Sequence, residues 1–185
     1  MRRLMVVDDE AVIAMQLEDH LQSMKYDVVG TASSAEESVS MARKLCPDLI
    51  LMDIVMEGKL DGIDAARMIK EEMDIPIIFL TAYADDKVVN RAMQAEPFGY
   101  IVKPFRESEI KANIEIALYR KGLEQKRKQA EERIRRLFLA IDHNPHIIMI
   151  IDIEGNIEFI NNKFSQTIDY TSSEIIGKGI SLLQS

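Results

Sequence analysis

The sequence predicts a doubly wound α/β fold, (βα)5 around a parallel sheet, then a long helix and a partial α+β segment. Three observations predict it. Short apolar runs recur, LMVV, DLILMDIV and IPIIFLTA among them. Amphipathic stretches at helical spacing separate them. No Pro falls between Glu107 and Asn144. Apolar strands alternating with helices imply a parallel sheet covered on both faces.

The elements follow in order. LMVV is the first strand. AVIAMQLEDHLQSM carries Val12, Met15, Leu21 and Met24 at helical spacing. DVVGTA is strand-like. Ser34, with Glu37 three residues on, reads as a capping box opening a helix with Val39, Ala42 and Leu45 on one face. Pro47 ends it, and DLILMDIV forms the third strand. Ile63, Ala66, Ile69 and Met73 mark the third helix. IPIIFLTA is a strand, DDKVVNRAMQA a helix and YIV a short strand before Lys103-Pro104.

Composition limits the function. The 185 residues carry a net charge of −8, which argues against general nucleic-acid affinity. No apolar run approaches the ~18 residues of a membrane span. The single Cys, Cys46, excludes an intramolecular disulfide, fits a reducing compartment and reads as a small buried hydrophobe before a strand. The expected location is cytoplasmic. Charge divides the chain into three segments: net −8 over residues 1–120, +4 over 121–141 and −4 over 142–185. No GxGxxG or P-loop sequence is present.

In parallel sheets, ligands sit beyond the carboxyl ends of the strands. There the sequence sets Asp8 and Asp9, Asp53, Thr81 and Lys103. Adjacent acids repel and raise one another's pKa, so either they fan out into water or a cation is expected among them. Glu10 reads as lying at the positive end of the first helix, with extension of the site through a water as the alternative.

VVDDE, LILMDIVM, IIFLTA and YIVKPF, in this order and spacing, resemble the receiver domain of two-component response regulators over residues 1–120. The resemblance implies the flavodoxin-like receiver fold. It implies Asp53 as phosphoacceptor, with Asp8, Asp9, Asp53 and the backbone carbonyl of Val55 as Mg²⁺ ligands. Thr81 and Lys103 are implied as the phosphoryl-binding pair, Thr81 and Tyr100 as the switch, and Lys103-Pro104 as a cis peptide. A buried core Tyr is the alternative for Tyr100. The implied donor is a histidine kinase or phosphotransfer protein. Glu57 stands where the family usually keeps Pro, Val55 where the residue is often polar, and Tyr83 is bulky. The resemblance implies that Val55 and Tyr83 flank the path of an attacking water; Val55 offers it no hydrogen bond and Tyr83 either covers the approach or positions a water through its hydroxyl, and autodephosphorylation is expected to be slow.

From Glu107 one helix is expected to run to Ile141, with 121–141 as a helical, coiled-coil-prone linker. Ile116, Leu123, Ala130 and Leu137 recur every seven residues, with Tyr119, Lys126, Arg133 and Ala140 in the companion row. A homodimer through this stripe and the face around Tyr100 is expected. The basic run at 126–128 otherwise reads as a solvated face. Residues 142–185 show a hairpin signal around Glu154-Gly155-Asn156. Asp152, Gly155, Asn161, Asn162, Phe164, Tyr170, Glu174, Ile175 and Gly177 resemble the start of a PAS domain, here truncated. His143 and His146 read as loop residues.

The expected function is a phosphorylatable receiver, not an enzyme, relaying its switch through the linker to a PAS module. An unphosphorylated docking module is the alternative. An Asp-nucleophile phosphatase is disfavoured, because its second Asp would stand at Val55.

Overall fold

The computed structural model describes residues 1–82, 86–168 and 170–184. Tyr83, singled out above, lies outside the described residues. Two compact units divide the chain, Met1–Glu124 and Gln125–Ser185.

The first unit is a five-stranded parallel sheet in the order β2-β1-β3-β4-β5. Its strands are β1 (Arg3–Val7), β2 (Asp27–Ala32), β3 (Leu49–Asp53), β4 (Ile77–Thr81) and β5 (Gly99–Val102). Its helices are α1 (Ala11–Ser23), α2 (Ala35–Leu45), α3 (Gly62–Glu72), α4 (Asp86–Gln94) and the start of α5 (Glu107–Asp142). Strand side chains alternate between faces. Met5, Val7, Ile50, Met52, Ile77 and Phe79 pack with residues of α2, α3 and α4. Leu4, Val6, Leu49, Leu51, Ile78 and Leu80 pack with residues of α1 and α5. Both sets are buried, which explains why the strands read as unbroken apolar runs.

Three local expectations are corrected. The inner face of α1 is Ala14, Leu17 and Leu21, while Val12 and Met15 are exposed. Leu21 and Met24 of the spaced set do face the core, but apolar residues stand on both sides of this helix, so spacing alone does not pick its inner face. The capping box at α2 is half formed: Ser34 accepts from the Glu37 N–H, but the Glu37 carboxylate accepts from Ser33 instead. Cys46 is exposed, because it closes α2 in the left-handed conformation (φ 45°).

Helix α5 runs unbroken for 36 residues, about 54 Å at ~1.5 Å per residue. Beyond it, the second unit pairs β6 (Met149–Ile151) with β7 (Ile157–Ile160) as an antiparallel hairpin. Short helices α6 (Asn162–Thr167) and α7 (Ser172–Ile175) follow. Ile157, Ile160, Phe164 and Ile175 form its small core.

Fully buried Asn161 organises the joint between α5 and the hairpin. Its amide donates to the carbonyls of Ile141, Asn144 and His146, and its oxygen accepts from the N–H groups of Ile148 and Phe164. Every polar atom of the side chain is therefore used. The Asp142 carboxylate adds a bond from the Asn162 N–H.

Candidate functional site

The parallel sheet delivers its strand ends to one rim. Asp8 directly follows β1, Asp53 closes β3, Thr81 closes β4 and Lys103 follows β5. The Asp8 N–H donates to Ala32 (3.1 Å) and the Lys103 N–H to Thr81 (2.7 Å), so backbone bonds fix both positions.

Asp8, Asp53 and Thr81 are buried. The Lys103 ammonium donates to Asp53 Oδ2 at 2.6 Å and Asp8 Oδ2 at 2.8 Å. Oxygens of Asp8, Asp9 and Asp53 lie within 4.8 Å of one another. That set of hard anionic donors fits a divalent cation such as Mg²⁺. Glu10 is the residue before α1, its side chain makes no cap bond, and it stands outside the carboxylate cluster.

Burial pushes the Asp53 carboxyl above its ordinary pKa; the Lys103 bond and charge oppose this only in part, and nearby Asp8 adds to the rise. For Lys103, burial acts to lower the pKa, but the bonds to Asp53 and Asp8 outweigh it and the ammonium is held charged. A buried acid is thus paired to a secure cation, the arrangement expected where anionic groups are to be handled.

Loops complete the rim. The Val55 N–H donates to Asp53 Oδ1 (3.3 Å), while the Val55 side chain is 71% exposed. The Glu57 N–H donates to Asp9 Oδ2 (2.8 Å), tying the loop after β3 to the loop after β1. Gly62 opens α3 against the end of β3: a Cβ there would lie 1.8 Å from the Asp53 carbonyl oxygen. Neither the Glu57 bond nor the need for Gly62 was visible in the sequence, since both arise from backbone approach. The α3 cap is reciprocal between Asp61 and Asp64, and Arg91 of α4 reaches Asp61 at 3.0 Å.

Tyr100 lies on β5. It packs on Phe79 with ring centroids 6.0 Å apart. Its hydroxyl is buried with no hydrogen-bond partner among the described residues, and burial pushes its pKa up. The Lys103-Pro104 peptide is cis.

Comparison with known proteins agrees with this geometry. The response regulator receiver domain model matches residues 4–115. The transcriptional regulatory protein PdtaR of Mycobacterium tuberculosis is 40% identical over 119 residues, 64% of this chain and 58% of that protein. LiaR of Bacillus subtilis is 39% identical over 119 residues, 63% of this chain and 56% of that protein. The chain thus spans under two thirds of the length of these relatives. The signal receiver domain of a modulated diguanylate cyclase from Desulfovibrio desulfuricans G20 is 36% identical (TM-score 0.65), covering 67% of this chain and 98% of that one. The N-terminal domain of a response regulator/sensory box/GGDEF 3-domain protein from Carboxydothermus hydrogenoformans is 28% identical (TM-score 0.62; 66% and 98% covered). With its sheet order, its rim of strand-end residues and a family match over most of the first unit, this chain belongs to the response regulator receiver domain family.

Proposed function

We propose that this chain is the phosphoryl-accepting receiver of a two-component phosphorelay, with Asp53 as acceptor. The observation that carries the reading is the pairing of buried Asp53 with Lys103, beside Asp8 and Asp9. Asp8, Asp9, Asp53 and the Val55 carbonyl would hold Mg²⁺. When bound, the ion neutralises charge on the phosphoryl oxygens. An Asp53 oxygen attacks phosphorus in line; its P–O bond forms as the P–N bond of a donor phosphohistidine breaks. Lys103 pairs with a phosphoryl oxygen, and the Thr81 hydroxyl donates to another. Tyr100 then reports the change, since its buried hydroxyl has a partner to gain. The donor is a histidine kinase or phosphotransfer protein.

The output runs through α5 to the second unit, read as PAS-like from its hairpin and from the Asn161 joint. One similar solved receiver heads a protein that also contains a sensory box. The chain acts as a homodimer, with the exposed row on α5 as contact. It is an acceptor rather than an enzyme, apart from slow self-dephosphorylation.

With Mg²⁺ and a small acyl phosphate, mass spectrometry should show one added phosphate on Asp53, lost in Asp53→Asn and without Mg²⁺. Labelling that survives Asp53→Asn would overturn the assignment.

A further inference from the structure

Helix α5 leaves its cover behind after Lys121. Every residue from Gln125 to Ala140 is exposed. Ile134, Leu137 and Phe138 are 67%, 57% and 51% exposed on a stretch that is otherwise mostly charged or polar. Apolar side chains at regular helical spacing in water mark a surface meant to be covered.

One row of that surface is Leu123, Ala130 and Leu137, seven residues apart. A seam needs a second row. Counting three residues on from each gives Lys126, Arg133 and Ala140, which places two cations in the contact. Counting four on gives Arg127, Ile134 and Ile141. The second count places β-branched Ile at a and Leu at d, the combination that favours two parallel strands. Arg127 is then the single charged residue at an a position. Its guanidinium is held by Glu131 of the same helix at 2.5 Å. One polar a residue costs stability but sets register and strand number.

Charge on the flanks sets the orientation. In this register Lys126 is a g residue and Glu131 the e residue of the next heptad. A parallel pair sets these two opposite one another across the contact. An antiparallel pair sets g rows together, and here they carry Lys126 and Arg133.

We infer that residues 123–141 of α5 form a parallel two-stranded coiled coil with a second copy of this chain, in the register Arg127, Ile134, Ile141 at a and Leu123, Ala130, Leu137 at d. This rests on the homodimer reading above and replaces the companion row that the sequence spacing first offered. The seam is about 28 Å long at ~1.5 Å per residue, so assembly depends on concentration.

Single cysteines test it in the full chain. Cys46→Ser removes the one native thiol, and Leu137→Cys, Ile134→Cys or Arg133→Cys is added to it. A disulfide needs Cα atoms within about 7 Å, which facing core positions meet and g positions do not. Mild oxidation should therefore yield covalent dimer from Leu137→Cys and Ile134→Cys, and none from Arg133→Cys. Dimer from Arg133→Cys with none from Ile134→Cys overturns the register and leaves the homodimer standing. No covalent dimer from any variant, with dimers still seen by sedimentation, overturns the seam. Monomers at every concentration overturn the homodimer reading itself, and a trimer mass overturns the two-stranded assignment.

Discussion

The strand-end rim and the Asn161 joint both bury polar groups, and they satisfy them in opposite ways. At the rim, the Lys103 ammonium pairs with both the Asp8 and the Asp53 carboxylate. At the joint, one neutral amide is satisfied by five backbone groups. Backbone partners cannot leave without unfolding. A lysine ammonium can move to another anion, and carboxylates can take another cation. Buried polarity that is exchangeable therefore marks chemistry, and buried polarity saturated by main chain marks architecture.

Removing one partner from each place should give the largest effects. Lys103→Met leaves two buried carboxylates without their cation, and should cost about 3–5 kcal/mol in urea unfolding. Added Mg²⁺ should return part of this, about 2.7 kcal/mol at a hundredfold excess over its Kd. Asn161→Ala strands the buried Phe164 N–H and several part-buried backbone groups and should cost about 3 kcal/mol, located in the second unit by amide exchange. No cation should restore it. Recovery of Asn161→Ala by Mg²⁺ would erase the distinction drawn between the two places.

A smaller effect sharpens the chemical side. Val55 offers no hydrogen bond to an attacking water and its side chain stands exposed beside Asp53. Val55→Asn with Tyr83→Glu supplies polar anchors. Phosphoryl decay should accelerate by about tenfold, the equivalent of ~1.4 kcal/mol of barrier. Unchanged decay would show that these side chains do not govern the water.

The smallest effect probes the architectural side through pH. The Asn156 N–H, then the Asn156 side chain, and further N–H groups of the turn hold the Asp152 carboxyl below its ordinary pKa. A depressed folded pKa contributes stability that is present above the unfolded value, about 3.9, and is lost as pH falls through the folded one. NMR signals of β6 and β7 should therefore weaken below about pH 4. In Asp152→Asn that dependence should flatten; an equally steep loss would assign it to other carboxylates.

What was legible in the sequence follows the same division. The strands were legible because both faces of a parallel sheet demand apolar residues, so LMVV and DLILMDIV stand out. The rim was legible because its groups are charged side chains at strand ends. The inner face of α1 was legible only in part: Leu21 and Met24 face the core, while Val12 and Met15 are apolar yet exposed. Gly62 was not, because its necessity comes from the Asp53 carbonyl approaching in space. Asn161 was noted for its spacing alone: its partners are main-chain groups, which every residue possesses and no pattern reveals.

The continuity of α5 makes chain length itself a coded quantity. Each residue turns a helix by about 100°, so one residue inserted after Glu124 turns the row of Ile134 and Leu137 by that angle around the axis of α5. Seven inserted residues bring it back to within about 20°. Within α5, insertions or deletions of seven residues therefore keep Leu123, Ala130 and Leu137 in one row along the helix. Steps of three or four keep the phase only coarsely, and single residues scramble it. The helix works as a dial whose setting is read by counting residues.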